Sequence, residues 1–220
     1  MQALESVVVE TGPKPTFTIL WLHGLGADGH DFEPLVPELL ETGMPALRFV
    51  FPHAPVRPVT LNNGYRMRAW YDIVGIDRRS AEDFTGMHAT AGLVNALIAR
   101  ENDAGIPTER MAIAGFSQGG AMALHIATRS AARFAGVIAL SCYLPLAAEL
   151  ATKRHPANDA TPIFMGHGTQ DPVVPYAFGD ESRQVLQAAG YPVEWRAYPM
   201  AHGLCEPEVA DIRAFLRKIV

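Results

Sequence analysis

Cysteine is scarce in this chain. Its 220 residues include only two, Cys142 and Cys205, so no disulfide framework can carry the fold and two reduced thiols in a reducing compartment are expected. Positive charge is not in excess either: 18 Lys and Arg against 23 Asp and Glu leave a formal charge of −5. That removes the electrostatic ground for binding nucleic acid or an anionic membrane surface. The charge-free runs 111–128 and 134–148 are broken by Gly, Ser, Gln, His or Pro, which leaves them too polar or too short to be stable membrane insertions. The opening "MQALESVVVE" has no basic segment ahead of a long apolar one, so no secretory leader is expected, and neither end carries a lipidation signal. There is no H-E-x-x-H and no cysteine pair at zinc spacing, so no metal and no cofactor is expected. These absences point to a cytoplasmic enzyme or binder whose partner is a small molecule.

What is present suits an α/β protein: 49% hydrophobic residues, 19% charged, with 19 Gly and 17 Pro at turns. At this length one domain spanning 1–220 is the simplest expectation. Short β-branched runs alternate with longer segments of helical period, the mark of βαβ units and a mostly parallel sheet with helices on both faces. The candidate strands are "ESVVVE", "TFTILWLH", "LRFVFP", "MAIAGF", "AGVIALS", "TPIFMGH" and "VEWRAYP". The first two, joined by "TGPKP", predict an antiparallel hairpin at the sheet edge. Helices are predicted over 84–104, 118–130, 176–189 and 207–219, the first from Phe84, Met87, Ala91, Val94, Leu97 and Ile98 spaced three and four apart. Residues 52–83 follow neither period and predict a binding loop that walls a pocket.

The stretch "GFSQGG", 115–120, places Ser117 among three glycines between a predicted strand and a predicted helix. About 0.04 G-x-S-x-G matches are expected by chance at this composition, so the strand-turn-helix context is what makes the motif specific for a nucleophile elbow. The rival role is a serine that merely caps the helix. Against it, Gly119 and Gly120 sacrifice helix propensity in the first turn, about 1 kcal/mol each relative to Ala.

A serine hydroxyl needs a base, and the base needs a carboxylate, in the chain order Ser, Asp or Glu, His on such a scaffold. His202, in "YPMAHG", is the only histidine after the candidate acids. Asp171, just past "TPIFMGHG", lies at the strand end where α/β sites assemble; Glu149 is the alternative acid. His23, His53, His125 and His167 are expected to be structural or to shape the site. Oxyanion donors are expected from the backbone N–H of Gln118 and of Leu25 in "LHGLGADG". The glycines of "GLGADG" could also suggest a dinucleotide loop, but the acid that should follow is missing.

These residues resemble the small carboxylesterases and acyl-protein thioesterases of the phospholipase/carboxylesterase family, within the α/β-hydrolase fold. The resemblance rests on "LHGLGADGHDF", "FPHAPVRPVTLNNG", "WYDI", "GFSQGGAMALH", "LSCYLPL", "GHGTQDPVVP" and His202 in "HGL", in order from about residue 20 to 205. It implies Ser117 as nucleophile, Asp171 as acid, His202 as base, and Leu25 and Gln118 as oxyanion donors. It also implies an α/β-hydrolase without a separate lid domain, as monomer or homodimer, that cleaves esters or thioesters of short to medium acyl chains, in some relatives from acylated proteins. Residues 53–72 would then wall the acyl groove, with Leu61, Trp70 and Tyr71 as lining candidates. The chain departs from the family pattern at Arg68, Ala69 and Gly203, all on the rim. Rival functions are a lysophospholipase and a non-catalytic binder of small molecules on the same scaffold.

Overall fold

A computed structural model describes residues 4–75 and 82–220. All seven predicted strands form: β1 (Ser6–Glu10), β2 (Phe17–Leu22), β3 (Leu47–Pro52), β6 (Met111–Phe116), β7 (Gly136–Leu140), β8 (Ile163–Gly168) and β9 (Val193–Tyr198). They make one sheet in the order β1-β3-β2-β6-β7-β8-β9, parallel except for β1.

The expected β1–β2 hairpin is wrong. β1 pairs antiparallel with β3, from Ser6 opposite Pro52 to Glu10 opposite Arg48, while β2 runs parallel to β3 on its other side. The burial patterns give the reason. Every residue of β2, "FTILWL", is buried, so it needs a strand on each side and helices on both faces. β1 is only half-buried and tolerates an edge.

Two cores flank the sheet. Leu20, Leu22 and Ile113 pack beneath α2 (Phe84–Asp103), α3 (Gln118–Arg129) and α5 (Tyr176–Ala188). Ile19, Trp21 and Ala114 alternate to the other face, against α6 (Glu206–Ile219) and the short α1 (Val36–Leu39). The four predicted helices stand within a residue or two of their expected bounds; α1 and α4 (Leu150–Lys153), one turn each, were too short to show a period. On α2, Met87, Val94, Leu97 and Ile98 are buried as the stripe predicts, but Phe84 lies exposed at its start, its ring tilted against that of His88 with centroids 4.2 Å apart.

The stretch 52–83 is not structureless. β4 (Val56–Val59) and β5 (Tyr65–Arg68) pair antiparallel into a separate two-stranded sheet. Its turn ends on Asn63 and Gly64 with φ of 54° and 75°, the left-handed pair that Asn-Gly supplies at least cost. Part of the predicted loop, residues 76–81, lies outside the described residues.

Candidate active site

The elbow begins where β6 ends. Ser117 has φ 54° and ψ −119°, a region costly for a residue with a Cβ, and its carbonyl accepts the N–H of Ala121 in the first turn of α3. The side chain does not cap the helix, so the capping role fails. The neighbouring glycines are there for close approach: a Cβ on Gly119 would sit 2.1 Å from the carbonyl oxygen of Leu22, and one on Gly120 2.9 Å from Cys142 Sγ. α3 thus starts hard against β2 and β7, and the serine is raised at the carboxyl edge of the sheet.

Leu25 and Gln118 border the same cleft as Ser117. Gln118 is the first residue of α3, so its N–H has no acceptor within the helix. Leu25 follows Gly24, whose backbone approaches Ser117 closely: a Cβ on Gly24 would be 3.7 Å from that of Ser117. Leu25 occupies a turn closed by Ala27 N–H on Gly24 O, 3.3 Å, with Gly26 at φ 78°. No helix starts on "GLGADG", so the segment lacks the helix N-terminus that a dinucleotide loop offers to phosphate.

Asp171 lies beyond β8 with its carboxylate fully buried. Its Oδ1 accepts the N–H groups of Val173 (2.8 Å) and Val174 (2.9 Å). Its Oδ2 accepts Nδ1–H of His202 at 2.7 Å. With the proton on Nδ1, Nε2 of His202 carries the lone pair. The His202 loop is fastened to the Asp171 loop by Gln170 N–H on Met200 O, 3.1 Å, and Gly168 permits this, since a Cβ there would be 2.4 Å from that same oxygen. The imidazole packs on the ring of Phe116, centroids 4.7 Å apart, next to Ser117 in sequence. Glu149 stays in the short helical turn ahead of α4, and Asp171 takes the His202 bond instead.

His167 also approaches Asp171, Nε2 to Oδ2 3.6 Å, but it donates to Val174 O at 2.9 Å and burial pushes its pKa down. His125 is buried in α3, and burial lowers its pKa to about 3.

The cleft beside Ser117 encloses about 410 Å³ and is lined by Leu25, Leu61, Tyr71, Gln118, Tyr143 and Val174 among others. Trp70, expected in the lining, is instead fully buried in the core, its Nε1–H on His23 O at 2.8 Å. Two features went unread in the sequence. The Gln118 side chain clamps the groove wall, accepting Trp70 N–H at 2.8 Å and donating to Tyr71 O at 2.7 Å. Tyr143 meets Tyr71 hydroxyl to hydroxyl at 3.1 Å inside the cleft. Neither pairing has a signal in local periodicity, because each joins segments about fifty or seventy residues apart.

A mostly parallel sheet wrapped by helices on both faces, with a strained serine at the carboxyl end of a central strand, defines an α/β-hydrolase. Acyl-protein thioesterase 1 of Mycosarcoma maydis is 38% identical, covering 100% of this chain and 99% of its own. Acyl-protein thioesterase 1 of Neurospora crassa is 40% identical, covering 96% and 89%. The crystal structure of Zea mays acyl-protein thioesterase 2 superposes with a TM-score of 0.87 at 29% identity, over 97% of this chain and 98% of that one. Arabidopsis thaliana SOBER1 gives 0.85 at 31%, over 92% and 98%. The phospholipase/carboxylesterase family matches residues 4–220. The chain belongs to that family and is a hydrolase.

Proposed function

We propose that this hydrolase cleaves carboxylic esters and thioesters of short to medium acyl chains by a two-step reaction on Ser117, within a single domain spanning 1–220. As the hydroxyl attacks the acyl carbonyl, Nε2 of His202 takes its proton and Asp171 supports the imidazolium through Nδ1–H. The N–H groups of Leu25 and Gln118 hold the oxyanion. Collapse expels the thiol or alcohol, which receives the proton from His202; water then attacks the acyl-enzyme with the same base and releases the acid. The chemistry needs no cofactor.

The observation that carries this reading is the 2.7 Å Asp171–His202 bond, whose imidazole rests on the residue preceding a strained serine. The names of the full-length relatives favour thioesters of acylated proteins as substrates, and the partly apolar cleft, of ordinary ligand size, suits an acyl chain. Two free thiols favour a reducing, cytoplasmic location, and no described helix is long and apolar enough to cross a membrane.

Replacing Ser117 by Ala should abolish both fluorophosphonate labelling and turnover of p-nitrophenyl butyrate and of S-acyl peptides, leaving at most about a thousandth of the rate. Turnover near that of the unsubstituted enzyme would overturn the mechanism. Labelling of Ser117 without turnover of any ester, thioester, amide or lysolipid would instead favour a binder.

A further inference from the structure

Behind the Leu25 N–H lies a chain of polar groups that the mechanism above does not use. His23 is buried just past the end of β2. Its Nε2 is 3.0 Å from the backbone nitrogen of Ala54. An N–H can only donate, so Nε2 holds the lone pair and the ring proton sits on Nδ1. Nδ1 is 2.7 Å from the carbonyl oxygen of Gly24, which can only accept. Both contacts therefore dictate the same tautomer. Burial lowers the pKa of His23 to about 4, against the Gly24 bond and the charge of Asp28 and with help from His53 and Arg68, so the ring is neutral at working pH. With both nitrogens engaged, His23 has none left to serve as a base.

The Gly24 carbonyl and the Leu25 N–H are the two ends of one peptide unit. A donor on that carbonyl draws electron density toward oxygen and leaves the N–H more positive, the cooperative strengthening of hydrogen bonds in series. Ala54 N–H, the imidazole and the 24–25 peptide point donor to acceptor in one sense and finish at Leu25 N–H. The imidazole is itself braced, with the Trp70 ring 5.0 Å away and Trp70 Nε1–H on the His23 carbonyl.

We infer that His23 is a positioning residue of the oxyanion site, holding the Gly24–Leu25 peptide in place and polarising its N–H toward the acyl oxygen. The inference rests on the assignment of Leu25 as oxyanion donor above. Because the acyl oxygen bears full charge only near the tetrahedral intermediate, the effect belongs to the transition state and should appear in kcat rather than KM.

Three substitutions separate the two ring contacts. In H23N the side-chain amide can still donate from near the Nδ1 position, in H23Q the amide reaches the Nε2 region and leaves Gly24 O without this donor, and H23L loses both. H23Q and H23L should lower kcat on p-nitrophenyl butyrate about 10- to 100-fold, with KM within about threefold, and weaken a trifluoromethyl ketone inhibitor by a similar factor. H23N should stay within about fivefold on both measures. Equal rates for H23N and H23Q, or losses confined to KM, would overturn the inference, and this comparison stands even if H23L fails to fold. S117A in the same assay keeps the two ideas apart. An active S117A removes the mechanism and this inference with it, whereas an inert S117A beside a full-rate H23Q removes the role of His23 alone.

Discussion

Asp171 presents its two oxygens to different partners, and the difference makes it testable. Oδ1 accepts two backbone N–H groups, so an asparagine here must place its carbonyl oxygen there and turn its NH₂ toward His202. The imidazole would then have to accept at Nδ1 and carry its proton on Nε2, the nitrogen that should receive the serine proton. Asp171→Asn should leave the fold intact and lower kcat about 10³- to 10⁴-fold. Full activity in this variant, checked against an unchanged circular dichroism spectrum, would show that the carboxylate charge is not needed. At this scale the candidate residues were visible in the sequence because chain order restricts the choice: after the candidate acids Glu149 and Asp171 only one histidine, His202, remains. The bonds that distinguish Asp171 from Glu149 were not visible, since they depend on where the His202 loop comes to rest.

Elements show why similar residues can have opposite effects. Gly119 and Gly92 both lie in helices. At Gly119 a Cβ would meet the Leu22 and His23 carbonyls at 2.1 Å and 2.6 Å, whereas at Gly92, in the middle of α2, it would meet no atom of the described residues beyond its own helix turn within 4 Å. Gly92→Ala should therefore stabilise the protein by about 0.5–1 kcal/mol through helix propensity. Gly119→Ala must push α3 away from the sheet, and it should cost about 1–3 kcal/mol or more and carry activity down with it, because α3 bears Gln118. Urea midpoints of the two variants would show the contrast. Helix propensity in the sequence marks both glycines as unfavourable; only packing assigns them different signs. The β4–β5 hairpin has the same lesson in reverse. Its Asn-Gly turn was available to a reader of "LNNGY", but four-residue strands with mixed polarity offer too little alternation to stand out.

Across the whole molecule, one buried acid should lower stability as pH rises, opposing the gain with pH that the buried neutral imidazoles of His23 and His125 give below 6.5. Glu208, in the first turn of α6, is fully buried with both carboxylate oxygens lacking a hydrogen-bond partner among the described residues, and Gly166 leaves the room it fills. Burial, reinforced by the charge of Asp211, raises its pKa from 4.5 to about 8. Between those values the unfolded chain has released a proton that the native protein retains, so raising the pH favours unfolding. The stability contributed by the neutral carboxyl is full below pH 4.5 and is lost progressively up to about pH 8, where the decline ends. By pH 7 the loss could reach about 3 kcal/mol. Glu208→Gln cannot titrate, so its melting temperature should fall less than that of the unsubstituted protein between pH 5 and 8. Parallel curves would contradict the assignment.

Local chemistry along the chain was enough to specify the seven strands, the long helices, the elbow and the Ser, Asp, His order, because alternation, helical period and glycine-flanked turns act over a few residues. Strand neighbours lay beyond that range. The partner of β1 followed from the complete burial of β2, a property of the assembled sheet. The assembled structure likewise decided the departure of Trp70 from the cleft into the core, the clamp of Gln118 on the groove wall, and the bond of Ala54 N–H to His23. Each joins segments distant in sequence, and such contacts gain their energy only when the two sides of a closed core exclude water together.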